Sequence, residues 1–159
     1  HRTKWMWKFH IIHHTDQTVD VTTGLRHHPI EAIFRLTFTI IAILISGASI
    51  GMVMLYQTIS AFSAHFSHAN FKTPENLDKL LSWILVTPRF HRIHHHFILP
   101  HTDRNFGNIF SIWDRVFKTN TNVGEHEDLK FGLDTHMSKN EITNLKNLLI
   151  IPFQKNRQH

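Results

Sequence analysis

FHRIHH, residues 90–95, has a near copy earlier in the chain, FHIIHH at residues 9–14. Both stretches contain the pattern H-x-x-H-H, which we call the first box (residues 10–14) and the second box (residues 91–95). Residues i, i+3 and i+4 lie on one face of an α-helix, so each box can direct three imidazoles toward one point. Six imidazole nitrogens exceed what one tetrahedral zinc ion accepts, and they suit two metal ions or one six-coordinate ion. Imidazole binds Fe, Zn, Cu and Ni, so the residue types leave the metal open.

The composition of the 159-residue chain narrows the chemistry further. The chain has 16 histidines and no cysteine, which excludes disulfides, thiolate metal sites and cysteine nucleophiles. Its formal net charge is +5. The lysines and arginines are scattered and lie largely beside an apolar segment, so the sequence does not favour nucleic-acid binding. The length predicts a single domain over residues 1–159.

The apolar segment, residues 36–71, lies between the two boxes and contains no Asp, Glu, Lys or Arg. A single membrane crossing needs about 20 apolar residues and would separate the boxes by about 30 Å. A shared metal site therefore predicts a membrane hairpin, with Gly47 and Gly51 near its turn. The alternative is a buried hairpin in a soluble helical bundle. Basic residues flank both ends of the segment and predict that both ends lie on the cytoplasmic side: Arg26, Arg35, Lys72, Lys79, Arg89 and Arg92.

Two further helices are predicted after the hairpin. The stretch TPENLDKLLSWILV has Thr73 as a candidate N-cap, Pro74 at the first helical position and Pro88 as a stop. Residues 138–153 predict a last helix that begins with a capping box. The predicted fold is all-α: an integral-membrane helical bundle with a cytosolic, histidine-rich di-metal cap.

Five motifs give the chain a resemblance to a known family: WKFHIIHH, DVTTGLRHHPIE, FSHAN, TPRFHRIHH and NFGNIFSIWDRVFKT. They resemble the fatty acid hydroxylase/sterol desaturase superfamily of integral-membrane, histidine-rich di-iron oxygenases. The family pattern includes an earlier H-x(3,4)-H box whose second histidine matches His1. The first histidine of that box would precede residue 1, so we expect the natural protein to extend upstream with further membrane helices. Thr15, His96 and Lys118 depart from the family pattern.

The resemblance implies a set of metal ligands, and further residues are candidates from their positions in the sequence. The implied iron ligands are His1, His10, His13, His14, His68, His91, His94 and His95. Further candidates, as ligands or as groups that orient imidazoles, are His28, His65, Asp20, Glu31, Asp103 and Asp114. A carboxylate orients a metal-bound imidazole by accepting its other N–H, although each acid also fits a helix cap or a surface ion pair. The remaining histidines are expected to pack or face solvent (His27, His96, His101) or to lie on the surface (His126, His136, His159).

The activity implied by the resemblance is O2-dependent hydroxylation or desaturation of a lipid C–H bond by two iron ions, with zinc as a substitute metal. The lipid class, whether sterol, fatty acyl or related, stays open. The chain has no G-x-G-x-x-G fingerprint, so electrons are expected from a separate cytochrome b5-like protein or ferredoxin. Two alternatives are a histidine-ligated zinc hydrolase of membrane lipids and a non-enzymatic metal-binding membrane protein. The absence of H-E-x-x-H counts against the hydrolase.

Overall fold

A computed structural model describes residues 1–122, 129–136 and 138–155. Over these residues the secondary structure is helical, with only two isolated β-bridges and no strand. The all-α prediction is therefore confirmed for the described ranges. The helices are α1 (Lys4–His14), α2 (Pro29–Ser46), α3 (Ile50–His68), α4 (Glu75–Leu81), α5 (Pro88–His94), α6 (Ile112–Val116), α7 (Lys139–Thr143) and α8 (Leu145–Ile150).

The two longest helices, α2 and α3, form a hairpin that turns at residues 47–49. Gly47 ends α2 with φ 65°, a left-handed conformation that glycine adopts without a steric penalty. Ser49 begins α3, and its hydroxyl accepts a hydrogen bond from the Met52 amide. The turn lies where the sequence predicts it. However, α2 begins at Pro29 instead of residue 36, because proline at the first helical position and a capping His28 favour an earlier start.

The hairpin exposes apolar side chains along most of its length. In the described part of the chain, α2 is the helix long and apolar enough to cross a membrane by length and composition. None of its residues is buried within the protein. At 18 and 19 residues, α2 and α3 have nearly the same length, about 27–29 Å at 1.5 Å per residue.

A small apolar core holds α1 against the end of the described chain. Ile11, Ile12, Leu133 and Ile151 are buried together, with Trp7 and Leu148 packed against them. The Arg26 guanidinium reinforces this contact. It donates hydrogen bonds to the Ile12 carbonyl at 3.1 Å, to the Thr15 hydroxyl at 3.0 Å and to the Ile142 carbonyl. These contacts fix the orientation of the helix that carries the first box.

The predicted helix after the hairpin is wrong in its length. The helix ends at Leu81, and its N-cap is Pro74 instead of Thr73. Pro88 does not stop this helix but starts α5. The chain leaves the helix because residues 84–86 find backbone partners elsewhere. The Val86 amide donates to the Ile109 carbonyl at 3.0 Å, and the Ser111 amide donates to the Ile84 carbonyl at 2.9 Å. The first turn of α5 tolerates Pro88, because a backbone N–H at this position would have no hydrogen-bond partner within the helix.

The predicted last helix is divided in two. The break lies at Asn144, whose ψ of 120° is extended, and whose side chain caps α8 by accepting from the Lys146 amide at 2.9 Å. Ser138 does begin α7, but its side chain makes no capping hydrogen bond, so the predicted capping box does not form. An asparagine amide competes with the helical backbone for hydrogen bonds, which explains the interruption.

Asp114 organises the turn that follows α5. One carboxylate oxygen accepts from the Phe106 amide at 2.8 Å and from the Thr119 hydroxyl at 2.6 Å. The other accepts from the Gly107 amide at 2.8 Å. The backbone at Gly107 is therefore drawn close to its neighbours. A Cβ atom at this position would lie 2.7 Å from the Phe110 carbonyl oxygen and 3.0 Å from Asp114 Oδ2.

Gly107→Ala should lower the free energy of unfolding by about 1–3 kcal/mol, because the added methyl overpacks a closed turn. Thermal unfolding followed by circular dichroism in detergent would measure the loss. Gly51→Ala is the matched control, since its Cβ would meet nothing closer than Ser49 Oγ at 4.0 Å. Alanine there should leave the protein as stable or slightly more stable. Equal melting temperatures for the two variants would contradict the close approach at Gly107.

Candidate metal centre

Eight histidines from four parts of the chain come together where α1, α3 and α5 meet. We call His1, His10, His14 and His94 the first histidine group, and His13, His68, His91 and His95 the second histidine group. In each group the ligand atoms that the four imidazoles offer all lie within 4.8 Å of one another. The groups adjoin, since the His14 ring stacks on the His95 ring with centroids 4.6 Å apart. The structure thus brings together all eight histidines that the family resemblance implies as ligands.

Each box is divided between the two groups. In α1, His10 and His14 belong to the first histidine group and His13 to the second. Relative to residue i, residue i+4 is rotated by about 40° and residue i+3 by about 60° in the opposite direction. Residues i and i+4 therefore share a target and residue i+3 points to another. The expectation that a box directs three imidazoles at one point is wrong, and the arrangement suits two ions instead of one six-coordinate ion.

The second box follows the same rule with the groups exchanged. His91 and His95, at i and i+4, join the second histidine group, and His94 joins the first. Each group consequently draws ligand atoms from both boxes. His1 completes the first histidine group, and His68, the last residue of α3, completes the second. The hairpin therefore contributes to the centre directly, through its returning helix.

The second histidine group has the nitrogen spacing that a metal ion requires. The Nδ1 of His68 donates to the Ala64 carbonyl at 2.6 Å, so its Nε2 is unprotonated and carries a lone pair. That Nε2 lies 3.1 Å from the Nε2 atoms of His13, His91 and His95. One in-plane lone pair cannot accept three N–H groups, so hydrogen bonding does not satisfy these atoms. An ion about 2.0–2.1 Å from each nitrogen would place neighbouring ligands about 3.0–3.4 Å apart.

In the first histidine group, His10 is oriented by a carboxylate from α2. Its Nδ1 donates to Glu31 Oε1 at 2.9 Å, so its Nε2 faces the group. The Nδ1 of His27 lies 3.2 Å from the same oxygen. His10, His27 and Glu31 also approach one another closely enough to hold an ion. Because His10 donates its Nδ1 proton to Glu31, we interpret these three residues as groups that orient the first histidine group, and not as a separate metal site.

Two other members of the first histidine group are anchored through Nδ1. His1 Nδ1 lies 3.2 Å from Asp103 Oδ1, and His94 Nδ1 donates to the Arg104 carbonyl at 2.7 Å. The Nε2 of His1 is buried with no hydrogen-bond partner among the described residues, as are both ring nitrogens of His14. Such buried, unpaired nitrogens need a partner, and a metal ion would supply one.

The site keeps five of its imidazoles neutral. Burial, reinforced by the neighbouring imidazoles, holds the pKa values of five histidines well below their ordinary value of 6.5: His13, His14, His91, His94 and His95. These rings therefore present lone pairs at neutral pH. A metal ion would not have to displace protons from them.

Four of the six other predicted site residues form hydrogen bonds elsewhere and not with either group. His28 caps α2, its Nδ1 accepting from the Ile30 amide at 3.1 Å, and His65 Nδ1 donates to the Val21 carbonyl at 3.2 Å. Asp20 accepts from the amide and hydroxyl of Thr22, both at 2.7 Å, and so closes a turn. Asp114 holds the loop described above. Of the acids that the sequence nominates, the structure places Glu31 and Asp103 against the histidines.

His27, which the sequence assigns to packing or solvent, lies against the centre. Its ring stacks on His13 with centroids 4.9 Å apart and an interplanar angle of 12°. The available signal was its i, i+4 spacing from Glu31 at the start of α2. His136 and His96 are buried, whereas His136 was expected on the surface. His126 and His159 lie outside the described residues.

Two cavities lie along α2. One, of about 220 Å³, is lined by His1 and His10 of the first histidine group, by Thr3 and Met6, and by Glu31, Phe34, Arg35 and Phe38 of α2. The other, of about 420 Å³, lies between α2 and α3. Phe38 lines both cavities.

Comparison with known proteins places this geometry in a family. A family model described as fatty acid hydroxylase matches residues 1–119. The chain is 27% identical to an ornithine lipid hydroxylase of Rhizobium tropici over 88% of its own length and 41% of that protein. It is 32% identical to an alkylglycerol monooxygenase of Xenopus tropicalis over 86% of its length and 29% of that protein. The human alkylglycerol monooxygenase is 28% identical over the same shares.

The chain thus spans less than half the length of these curated relatives. No solved structure matches it. The family match covers both boxes, the hairpin and the Asp114 turn, which together make up the centre and its support. The chain belongs to the fatty acid hydroxylase family.

Proposed function

We propose that this chain forms the metal-binding, catalytic part of a membrane-bound, O2-dependent di-iron lipid hydroxylase. The observation that carries the proposal is the pair of four-histidine groups, interleaved so that each takes ligands from both boxes. The relatives named as ornithine lipid hydroxylase and alkylglycerol monooxygenase support hydroxylation over desaturation.

The residues present fit two metal ions. The first histidine group would hold one ion and the second histidine group the other, with four imidazoles each. Imidazole alone does not distinguish iron from zinc, and family membership favours iron, with zinc as a substitute. When bound, two iron ions would supply the O2 activation and the electron transfers that breaking an unactivated C–H bond requires.

The protein groups around the ions perform three tasks in this proposal. Glu31, Asp103 and the Arg104 carbonyl orient imidazoles of the first histidine group, as carboxylates and carbonyls commonly do around metals. Burial of the rings keeps bulk water away from the centre. Because imidazole binds metals as a neutral ligand, eight imidazoles would leave the charge of the ions undiminished, which favours binding of oxygen-based anions.

The two cavities support a lipid as the substrate. The smaller cavity brings apolar side chains of α2 up to His1 and His10, and the larger one extends the apolar surface between α2 and α3. An alkyl chain lying along α2 would pass Phe38 and reach the first histidine group. In this reading the hairpin serves both as membrane anchor and as the wall of the route by which the substrate enters.

The same proposal accounts for the exposed hairpin. We place α2 and α3 in the bilayer, because the described residues leave their apolar side chains largely uncovered and α2 satisfies the length and composition of a crossing. The basic residues at both ends of the hairpin support a metal centre on the cytoplasmic side. Electrons would come from a separate donor such as a cytochrome b5-like protein or a ferredoxin.

Metal content and turnover of the whole natural protein, purified in detergent, test this function. We expect two iron ions per chain, O2 consumption that depends on a supplied reductant, and a hydroxylated lipid detected by mass spectrometry. Tightly held zinc with hydrolysed lipid and no O2 uptake would favour a zinc hydrolase. Loosely held, mixed metals without turnover would indicate a non-enzymatic metal-binding protein. His65→Ala is a suitable control, since His65 lies outside both groups.

A further inference from the structure

A second apolar surface lies on α4, α6 and the residues just after α4. We call it the aromatic collar and define it by Leu80, Trp83, Ile84, Trp113, Val116 and Phe117. Each of these side chains is between 57% and 70% exposed. Exposed apolar surface in this amount usually marks contact with a protein or a membrane.

The two halves of the aromatic collar are held together by backbone and side-chain contacts. The Ser111 amide donates to the Ile84 carbonyl at 2.9 Å, and the Ser111 hydroxyl donates to the Ser82 carbonyl at 2.7 Å. The Arg115 guanidinium donates to the same Ser82 carbonyl at 2.9 Å and lies 4.2 Å from the centre of the Trp83 ring. The collar is therefore one continuous, fixed surface.

The polarity of α6 is reversed from the pattern of a water-facing helix. In α6 the buried residue is Asp114, while Trp113 and Val116 are exposed. In α4 the buried residue is likewise Asp78, while apolar residues (Leu77, Leu80) and charged residues (Glu75, Lys79) are both exposed. A helix that faces water buries its apolar stripe and exposes its polar residues. The reversed arrangement indicates an apolar medium on the outer side.

The aromatic collar adjoins the hairpin. The Asn108 side-chain amide donates to the Ser60 hydroxyl at 2.8 Å, and Ser60 lies midway along α3. The neighbouring α3 side chains Ile59 and Phe62 are themselves exposed and apolar. The collar thus continues the apolar surface of α3.

We infer that the aromatic collar is a second membrane-contact surface, seated in the headgroup–acyl boundary of a phospholipid bilayer. Tryptophan is enriched at this depth because its ring is apolar and its N–H is polar, and arginine beside it reaches the headgroups. This inference rests on the membrane insertion of the hairpin proposed above. It adds that α4 and α6 lie along the bilayer surface, which presses the metal centre against the membrane from which the lipid enters.

Site-directed spin labelling tests the collar directly. The chain contains no cysteine, so a single introduced cysteine carries the only nitroxide. The labelled positions would be Leu80→Cys and Phe117→Cys in the collar, Leu44→Cys in the hairpin and Lys146→Cys as an exposed control on α8. The whole natural protein, with any cysteine outside these residues replaced, would be reconstituted in phosphatidylcholine nanodiscs. Power saturation then compares collisions with O2, which partitions into lipid, and with a water-soluble nickel chelate.

We expect the O2-to-nickel collision ratio at positions 80 and 117 to be several times that at position 146 and below that at position 44. A ratio equal to that of position 146 would place the collar in water and overturn the inference. Low collision rates with both reagents would show that protein covers the collar, which would also overturn it. A ratio at position 44 equal to that at position 146 would instead contradict insertion of the hairpin, so the two proposals fail separately.

Discussion

The double variant His91→Ala/His94→Ala is expected to lose both metal ions, although both changes lie within one box. His91 belongs to the second histidine group and His94 to the first, so each ion loses a ligand. The variant His13→Ala/His91→Ala changes both boxes but only the second histidine group. It should retain about one ion, because the first histidine group keeps its four imidazoles. Metal analysis per folded chain after gel filtration would measure the difference.

The opposite result would contradict the interleaved arrangement. If each box held its own ion, His91→Ala/His94→Ala would keep one ion and His13→Ala/His91→Ala would lose both. The single variants His13→Ala and His94→Ala should each abolish hydroxylation, because each removes one of the four ligands from one of the two cooperating ions. His65→Ala, which removes a histidine from the same region but from neither group, should keep both ions and full activity.

Glu31→Ala should weaken metal binding to the first histidine group by roughly 10–100-fold. The Glu31 carboxylate accepts the Nδ1 proton of His10 at 2.9 Å and thereby fixes which nitrogen faces the group. Without it, the His10 ring is free to rotate or to present the wrong tautomer. Glu31→Gln retains a carbonyl acceptor without the charge, so a smaller loss is expected. Competition against a chelator of known affinity would measure both.

The second histidine group serves as an internal reference for this experiment, since Glu31 contacts none of its ligating nitrogens. Asp20→Asn is the matched control, because Asp20 closes a turn with Thr22 and touches no member of either group. Asp103→Asn should have a milder effect than Glu31→Ala, because the Asp103 side chain is half exposed and water can replace its contact with His1. Unchanged affinity at both ions in Glu31→Ala would show that the carboxylate does not position His10.

Much of the fold follows from local patterns in the sequence. The charge-free run predicts the hairpin, and Gly47 marks its turn because only a residue without Cβ adopts the left-handed conformation freely. Helix ends after the hairpin were predicted less well. Residues 82–86 have a helical apolar pattern, yet they leave the helix to pair with residues 109–111, a contact that no local pattern reports.

In the candidate site, too, local sequence patterns predict some features and contacts between distant residues decide the others. By itself, the sequence predicted which eight histidines come together, because H-x-x-H-H on a helix places its imidazoles on one face and the family motifs add His1 and His68. Only the tertiary structure decided how they divide. The rotation between positions i+3 and i+4 separates the targets of one box, but which imidazole of the other box shares a target depends on how α1 and α5 pack.

The supporting residues depend on packing for the same reason. Glu31 and Asp114 are equally plausible partners for a histidine in the sequence. The structure turns Glu31 toward His10 and Asp114 toward the Phe106 and Gly107 amides. A carboxylate accepts from whichever N–H groups the fold brings within about 3 Å, and those neighbours are set by contacts between residues far apart in the chain.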